Sequence, residues 1–364
     1  MIDSTPGPTS PGPSVIPPVT AVLAVRNDAQ TIERAVRSIF AQQYPLELAV
    51  VIASAPSTDG TREIVRALAS GDPRLSVIET TSASPAVALN EAIAAATSAV
   101  LIRVDPRSEL PSDYVRVAVE AMARTDAAAL VGRTRPVGET PFERAVATGF
   151  RHRLGLADDP LRSPGQAEGP TGQPNDHVLR RRMFIDAGLY SEELRHGQSW
   201  EMNSRLRDAG NTVWFTPELV YSYRPPSRAV ALTRALFADG LWRGEFFRAF
   251  RDESALRFRL PVAIVIATIA GFILGAIGLF GIVAGALGAA FVVSVILFAL
   301  ILAPAAYVVV VLTLAGIVAV REDLRTGAWF ALVMPFIHFS WGLGFIAGFL
   351  NIEGAADTLI VDFE

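Results

Sequence analysis

The chain has 364 residues, with 36 acidic and 32 basic side chains and a formal net charge of −4, so it carries no overall basic field for nucleic acid. It contains no cysteine, which excludes disulfides, thiolate metal sites and thiol nucleophiles. Hydrophobic residues make up 51% of it, but they crowd into the last third, while the charges crowd into the first 260 positions.

Pro6, Pro8, Pro11, Pro13, Pro17 and Pro18 stand among Gly, Ser and Thr, which predicts a disordered leader over residues 1–18. The leader has neither the basic nor the apolar region of a signal peptide. The domain that follows is therefore expected to stay in the cytoplasm. Val19–Val25 is a β-branched apolar run that ends at Arg26, Asn27 and Asp28. Ile32, Ala35, Val36, Ile39 and Phe40 recur at helical spacing, and Tyr44 and Pro45 close that helix. Leu48–Ala53 reads as a buried strand. Ser57, Thr58, Asp59 and Gly60 form a turn, and Thr61–Leu68 a helix. Leu75–Ile78, Ala86–Ala96 and Val100–Val104 continue as strand, helix and strand. This alternation predicts a parallel sheet with helices on both faces.

The next stretch is less regular. Asp158–Asn175 reads as a loop rich in Pro, Gly and Asp. Met183–Gly188 and Glu201–Ala209 read as helices, and Asn211–Phe215 as a strand after the stop at Gly210.

From Leu260 to Val320 there is no Asp, Glu, Lys, Arg or His. A spanning helix takes about 20 apolar residues, so this run crosses a bilayer more than once. A further apolar run, Gly327–Leu350, follows Arg321 and Arg325. Arg243, Arg248, Arg251, Arg257 and Arg259 precede the first run, whereas the tail carries Glu353, Asp357, Asp362 and Glu364. The positive-inside bias then favours three spans, at 261–281, 289–319 and 327–350, with the tail outside. The middle span is overlong and is expected to kink near Pro304.

Several strings in register carry a family resemblance. They are the strand ending at Asn27 and Asp28; Gln43, Tyr44, Pro45; Ser57–Thr61; Asn90; Leu101–Asp105; and Arg205–Gly210. In this order they resemble the family-two glycosyltransferases. Pro217–Leu219, Tyr223–Pro225, Gly240, Trp242, Arg243 and His338–Phe345 resemble its succinoglycan-type ExoA branch. The resemblance implies an α/β fold of GT-A type, a nucleotide-diphospho-sugar transferase domain, followed by transmembrane helices. The implied divisions are the leader, a cytoplasmic transferase domain over 19–250, a membrane domain over 251–350 and an acidic tail over 351–364.

The chemistry of such an enzyme asks for carboxylates in three places: one to read the base, some to hold Mg²⁺ or Mn²⁺ at the diphosphate, and one to deprotonate the acceptor hydroxyl. This chain departs from the family at each. Ser54, Ala55 and Pro56 replace the D-D-G turn. Asp105, Pro106 and Arg107 replace D-x-D and keep only the first acid. Gln198–Met202 replaces the E-D-x-E-L motif and puts Ser199 where the base belongs. The proline of the opening strand motif is Ala24, and the F-D-E signature is Tyr190, Ser191 and Glu192.

By this resemblance Asp105 is the metal ligand. Glu201, two residues past Ser199, is the candidate general base. Asn27, Asp28, Asp59 and Asn90 are expected to contact the nucleotide-sugar donor. Arg107 is expected to stand near the diphosphate, where a guanidinium can neutralise phosphate directly. Each has a plainer reading as well. Asp105 and Asp59 suit turns, Asn27 and Asp28 suit a helix cap, and Arg205 one turn on can simply pair with Glu201. His177 is an acceptor-side candidate or a structural histidine, and Trp242 also suits an interfacial anchor. His338 is expected to face a helix bundle rather than lipid.

The sequence thus points to an inverting glycosyltransferase at the plasma membrane. Its expected partners are a nucleotide-sugar donor, a lipid-linked or surface-glycan acceptor, membrane lipids and other envelope-glycan enzymes. The alternative is a scaffold that has kept a transferase's shape without its acids.

Overall fold

The structure, a computed structural model, describes residues 16–155, 167–172, 176–194, 197–250 and 259–352. Most of the expected leader, much of the Asp158–Asn175 loop and most of the acidic tail lie outside these residues.

The first half folds as the alternation predicts. It runs β1 (Val19–Val25), α1 (Ile32–Phe40), β2 (Ala49–Ser54), α2 (Thr61–Gly71), β3 (Leu75–Glu79), α3 (Pro85–Ala95) and β4 (Val100–Arg103). In α1 the apolar positions bury Ile32, Ala35, Val36 and Ile39 on one face, which is why a short helix with charges opposite is stable here. The strands β3, β2, β1 and β4 lie side by side in that order and are parallel.

The second half supplies strands that its composition hides. They come in the order β5 (Ser108–Glu109), α4 (Tyr114–Thr125), β6 (Ala129–Pro136), α5 (Pro141–Arg151), β7 (Gly169–Pro170), β8 (Asp176–Arg180), α6 (Arg181–Asp186), α7 (Gln198–Asp208) and β9 (Val213–Tyr223). β8 pairs antiparallel with both β4 and β6, and β9 runs parallel to β6. The sheet is therefore mixed, not purely parallel as the alternation implied. The fold is α/β, with apolar helices after it.

β1 shows how the sheet divides its core. Val19, Ala21, Leu23 and Val25 face one cluster with α1, α2 and α4. Val22 faces the other, with α3, α6 and α7. A strand buried on both faces reads as a continuous apolar run.

After β9 come α8 (Ala229–Phe250), α9 (Arg259–Val283), α10 (Ala289–Ala299), α11 (Leu302–Arg321) and α12 (Leu324–Leu350). α10 and α11 make up the expected middle segment, and the break between them, at Leu300–Ile301, precedes Pro304 closely. A third core joins α5 and α8 to α11 and α12. α5 begins with a capping box between Thr140 and Glu143 and has Pro141 in its first turn, a strong N-terminal signal. His338 is buried, as expected of it; its Nδ1 meets the Tyr307 hydroxyl at 3.0 Å and its Nε2 the Leu154 carbonyl.

Candidate active site

In the strand order β3-β2-β1-β4 the chain moves to one side of β1 and then returns to the other. The crevice beyond the carboxyl ends of β1 and β4 is thus a topological switch point, the usual ligand site of an open α/β sheet. Asp28 follows β1, and Asp105 and Arg107 follow β4. The structure brings all three together there.

Asp28 is buried. Its Oδ2 accepts from the Arg26 N–H at 3.0 Å, and its Oδ1 lies 3.5 Å from Arg107 Nε. Burial pushes its carboxyl up to about 6; the Arg26 N–H and Arg107 pull down and the Asp105 charge pushes up. Asp105 is exposed, and its Oδ1 accepts the Arg107 N–H at 2.7 Å, closing a tight turn that aims residue 107 back at Asp28.

Asn27 and Asp59 line the same edge, but their side chains are engaged in joining two loops. Asn27 has φ 55°, a left-handed conformation that Asn tolerates better than most residues. Its N–H donates to Ser57 Oγ at 3.2 Å and its Oδ1 accepts from the Thr58 N–H at 2.9 Å. The Asp28 N–H donates to Thr61 Oγ1 at 2.8 Å, and that hydroxyl donates to Asp59 Oδ1 at 2.5 Å. Burial raises the Asp59 carboxyl, but hydrogen bonds from Thr61 and the Ala29 N–H outweigh it and hold the group below its ordinary value.

Two expected site residues are placed differently. Asn90 is buried in α3 and clasps the loop after α6. Its Nδ2 donates to the Tyr190 carbonyl at 2.9 Å and to Glu192 Oε1 at 3.0 Å, while its Oδ1 accepts from the Tyr190 N–H at 3.0 Å. Glu201 lies in the first turn of α7, two residues from Ser199 and so on a different face of the helix. Its carboxylate takes Arg205 at 2.5 and 2.7 Å, and Arg205 also donates to the Ala187 and Leu189 carbonyls. The pairing of Arg205 with Glu201, the plainer reading, is present.

Arg103 is the residue that motif reading missed. Its Nη1 donates to Ser199 Oγ at 2.6 Å, and its guanidinium lies over the Tyr190 ring, 5.4 Å from the centroid. The signal was an arginine inside an otherwise apolar strand. Next to it, His177 Nε2 meets the Tyr221 hydroxyl at 2.6 Å; burial and then the Arg103 charge push this imidazole down to about 3. It is therefore neutral at physiological pH. Trp242 packs into the seam between α7 and α8, against Gly197 and Phe246.

Among the described residues no three His, Asp or Glu side chains converge as a metal cage. Arg107 reaches Asp28 with its guanidinium and Asp105 with its backbone N–H. The guanidinium is thus a counter-ion to Asp28, and Asp105 keeps an exposed carboxylate of its own. The metal role expected of Asp105 therefore rests on one protein carboxylate.

The family model for glycosyl transferase family 2 matches residues 20–186. The succinoglycan biosynthesis protein ExoA of Rhizobium meliloti (strain 1021) is 33% identical over 246 residues, which cover 67% of this chain and 74% of ExoA. Among solved structures, the mannosyltransferase PcManGT from Pyrobaculum calidifontis, in complex with GDP-Man and Mn2+, superposes with a TM-score of 0.50 at 20% identity, over 99% of this chain and 92% of its own. S. aureus TarS superposes with a TM-score of 0.45 at 16% identity over 62% of this chain, which spans 40% of the TarS chain. PcManGT bears on the fold alone, and the fold is of GT-A type. The matched segment carries β1 to α6 and with them the switch-point crevice, and the likeness to ExoA extends over two thirds of the chain: it is a glycosyltransferase and belongs to glycosyl transferase family 2.

Proposed function

We propose that this glycosyltransferase is membrane-held and inverting. It moves a sugar from a nucleotide-diphosphate donor to a lipid-linked or surface-glycan acceptor at the cytoplasmic face. The observation that carries the reading is the Asp28–Arg107 pair beside Asp105 at the switch point. It supplies a fixed cation at that edge, which supports a contact with a donor's diphosphate there. The ExoA likeness supports a role in polysaccharide synthesis.

In this scheme the acceptor oxygen attacks the anomeric carbon as the bond to the β-phosphate oxygen breaks. The electron pair of that bond leaves with the nucleoside diphosphate, and the acceptor proton passes to a carboxylate. One displacement inverts the anomeric centre. Arg107 turns from Asp28 to the diphosphate and balances the charge that develops there, as a preorganised cation does. Glu201 takes the proton once its pairing with Arg205 opens. Asn27 and Asp59 keep the nucleotide-side loops together.

Calorimetry on the full-length protein in detergent, with UDP- and GDP-sugars, tests the reading. Donor binding is expected to persist in excess EDTA and to be lost in Arg107→Gln. If no donor binds the wild type, the scheme fails. If binding requires Mn²⁺ or Mg²⁺ and ignores Arg107→Gln, Asp105 holds a metal after all.

A further inference from the structure

Among the described residues three helical segments are long and apolar enough to cross a membrane, but they are not alike. The most apolar stretch of each is 22% buried in α9, 6% in α10–α11 and 61% in α12. Most of what buries α12 is the transferase domain, with α9 and α11 alongside it through Val265 against Gly342 and Ala319 against Gly327. α5 packs on its first half: Phe142 meets Trp329 edge-on at 5.3 Å, Gly149 lies against Ile337, and Arg144 donates to Asp323 at 3.0 Å and to Thr326 at 3.2 Å.

α8 packs on the second half and runs in the same direction. A Cβ on Gly240 would strike the Trp341 carbonyl; one on Gly344 would strike that of Phe237, and one on Gly348 that of Leu241. Trp341 Nε1 donates to Asp239 Oδ2 at 2.7 Å, and Phe247 lies 5.8 Å from Phe349. α8 in turn rests on α7 through Phe246 and Trp200, whose ring centroids are 4.1 Å apart.

We infer that α12 does not cross the bilayer but lies along its surface as an interfacial helix. The anchor is then the hairpin of α9 with α10 and the start of α11, and the chain leaves α12 on the side of the transferase domain. At 1.5 Å per residue α12 is about 40 Å long, against a hydrocarbon core of about 30 Å. Any placement of that core across α12 takes in exposed Asp239, Glu245 and Arg248 on α8, or Arg144 on α5. Charged side chains on lipid-facing helices are costly at that depth.

The face of α12 that the domain leaves open is apolar. Trp329, Leu332, Leu343 and Leu350 are exposed and fall on one stripe at 3.6-residue periodicity, which suits the boundary of headgroups and acyl chains. The stripe is continuous with the lipid-exposed hairpin, so its occupant is the bilayer. The placement also accounts for the overlong middle segment of 33 residues. Its first part pairs with α9, where Gly271 lies against Leu300 and Gly278 against Phe298, and its end pairs with α12, where Gly327 lies against Ala319. The acidic tail is no obstacle, because the positive-inside bias counts Arg and Lys and barely weighs Asp and Glu. α8 touches both α7 and α12, which brings the acceptor side of the crevice toward the lipid, where a lipid-linked acceptor would present its sugar.

The inference rests on the membrane reading but not on the transfer chemistry, so donor binding can fail while the topology stands. The chain has no cysteine of its own, which allows single-cysteine labelling of the full protein in oriented vesicles with a membrane-impermeant maleimide. Glu120→Cys on α4 marks the domain side. Leu287→Cys, in the hairpin turn, is expected to react only on the opposite side, and Ile352→Cys only on the Glu120 side. Reaction of Ile352→Cys together with Leu287→Cys overturns the inference, and reaction of all three on one side overturns the hairpin crossing too. Spin labels at Leu332→Cys and Leu343→Cys, about 16 Å apart along the helix, are expected at equal depth; a difference near that length means α12 crosses.

Discussion

Arg103 and Ser199 are 96 residues apart in sequence, yet a hydrogen bond of 2.6 Å joins the end of β4 to the first turn of α7. The tie fixes α7 against the strand that leads to Asp105. Ser199→Asp would convert it into an ion pair, in which both partners are charged. The variant is expected to turn over at least as fast as the wild type and to melt higher. A large loss of turnover with the fold intact would mean that the hydroxyl itself touches substrate.

Glu201→Gln keeps size and hydrogen bonding but removes basicity. If Glu201 takes the acceptor proton, turnover falls about 10²–10⁴-fold while donor affinity holds. The Arg205 pair is partly exposed, so its loss alone costs little stability. Single-turnover rates beside calorimetric donor affinities check this. Full turnover in Glu201→Gln would reduce Glu201 to a partner that steadies Arg205 within α7.

Asp28 gives a pH dependence of definite sign. Its folded value of about 6 lies above the ordinary 3.8, so the fold holds the proton more tightly than the unfolded chain does. Stability from this group is greatest below about pH 4 and declines as pH rises to 6, by about 3 kcal/mol in all. His177 works the opposite way: its value is depressed from 6.5 to about 3, so its contribution declines as pH falls through that range. The difference between wild type and Asp28→Asn isolates the first effect. Asp28→Asn is expected to be more stable than wild type above pH 6 and equal to it near pH 4, as read from denaturation midpoints. Equal stability at both pH values would mean that Asp28 is not strained.

Asn90→Ala strands the Tyr190 N–H and carbonyl that its amide satisfies, and buried groups left unpaired cost about 1–3 kcal/mol. The expected result is a lower melting temperature with an unchanged KM for the donor. A KM rise without a stability loss would restore Asn90 to the nucleotide pocket.

The sequence by itself determined the alternation from Val19 to Arg103, because strands buried on both faces must be apolar throughout and the helices between them need only one apolar stripe. It also located the break before Pro304 and the three apolar segments, since length and hydropathy are local properties. It named Asp28, Asp105 and Arg107 as separate candidates. Only the tertiary structure decided that they meet, because the crossover from β3 to β4 past β1 is what brings their loops together. It alone turned Arg205 to the loop after α6 and Asn90 to Tyr190, since which face of a helix meets which loop depends on packing between distant segments. The same holds for α12. Its composition is that of a spanning helix, and only the seating of α5 and α8 along it reveals charged neighbours that hydropathy, read one residue at a time, cannot register.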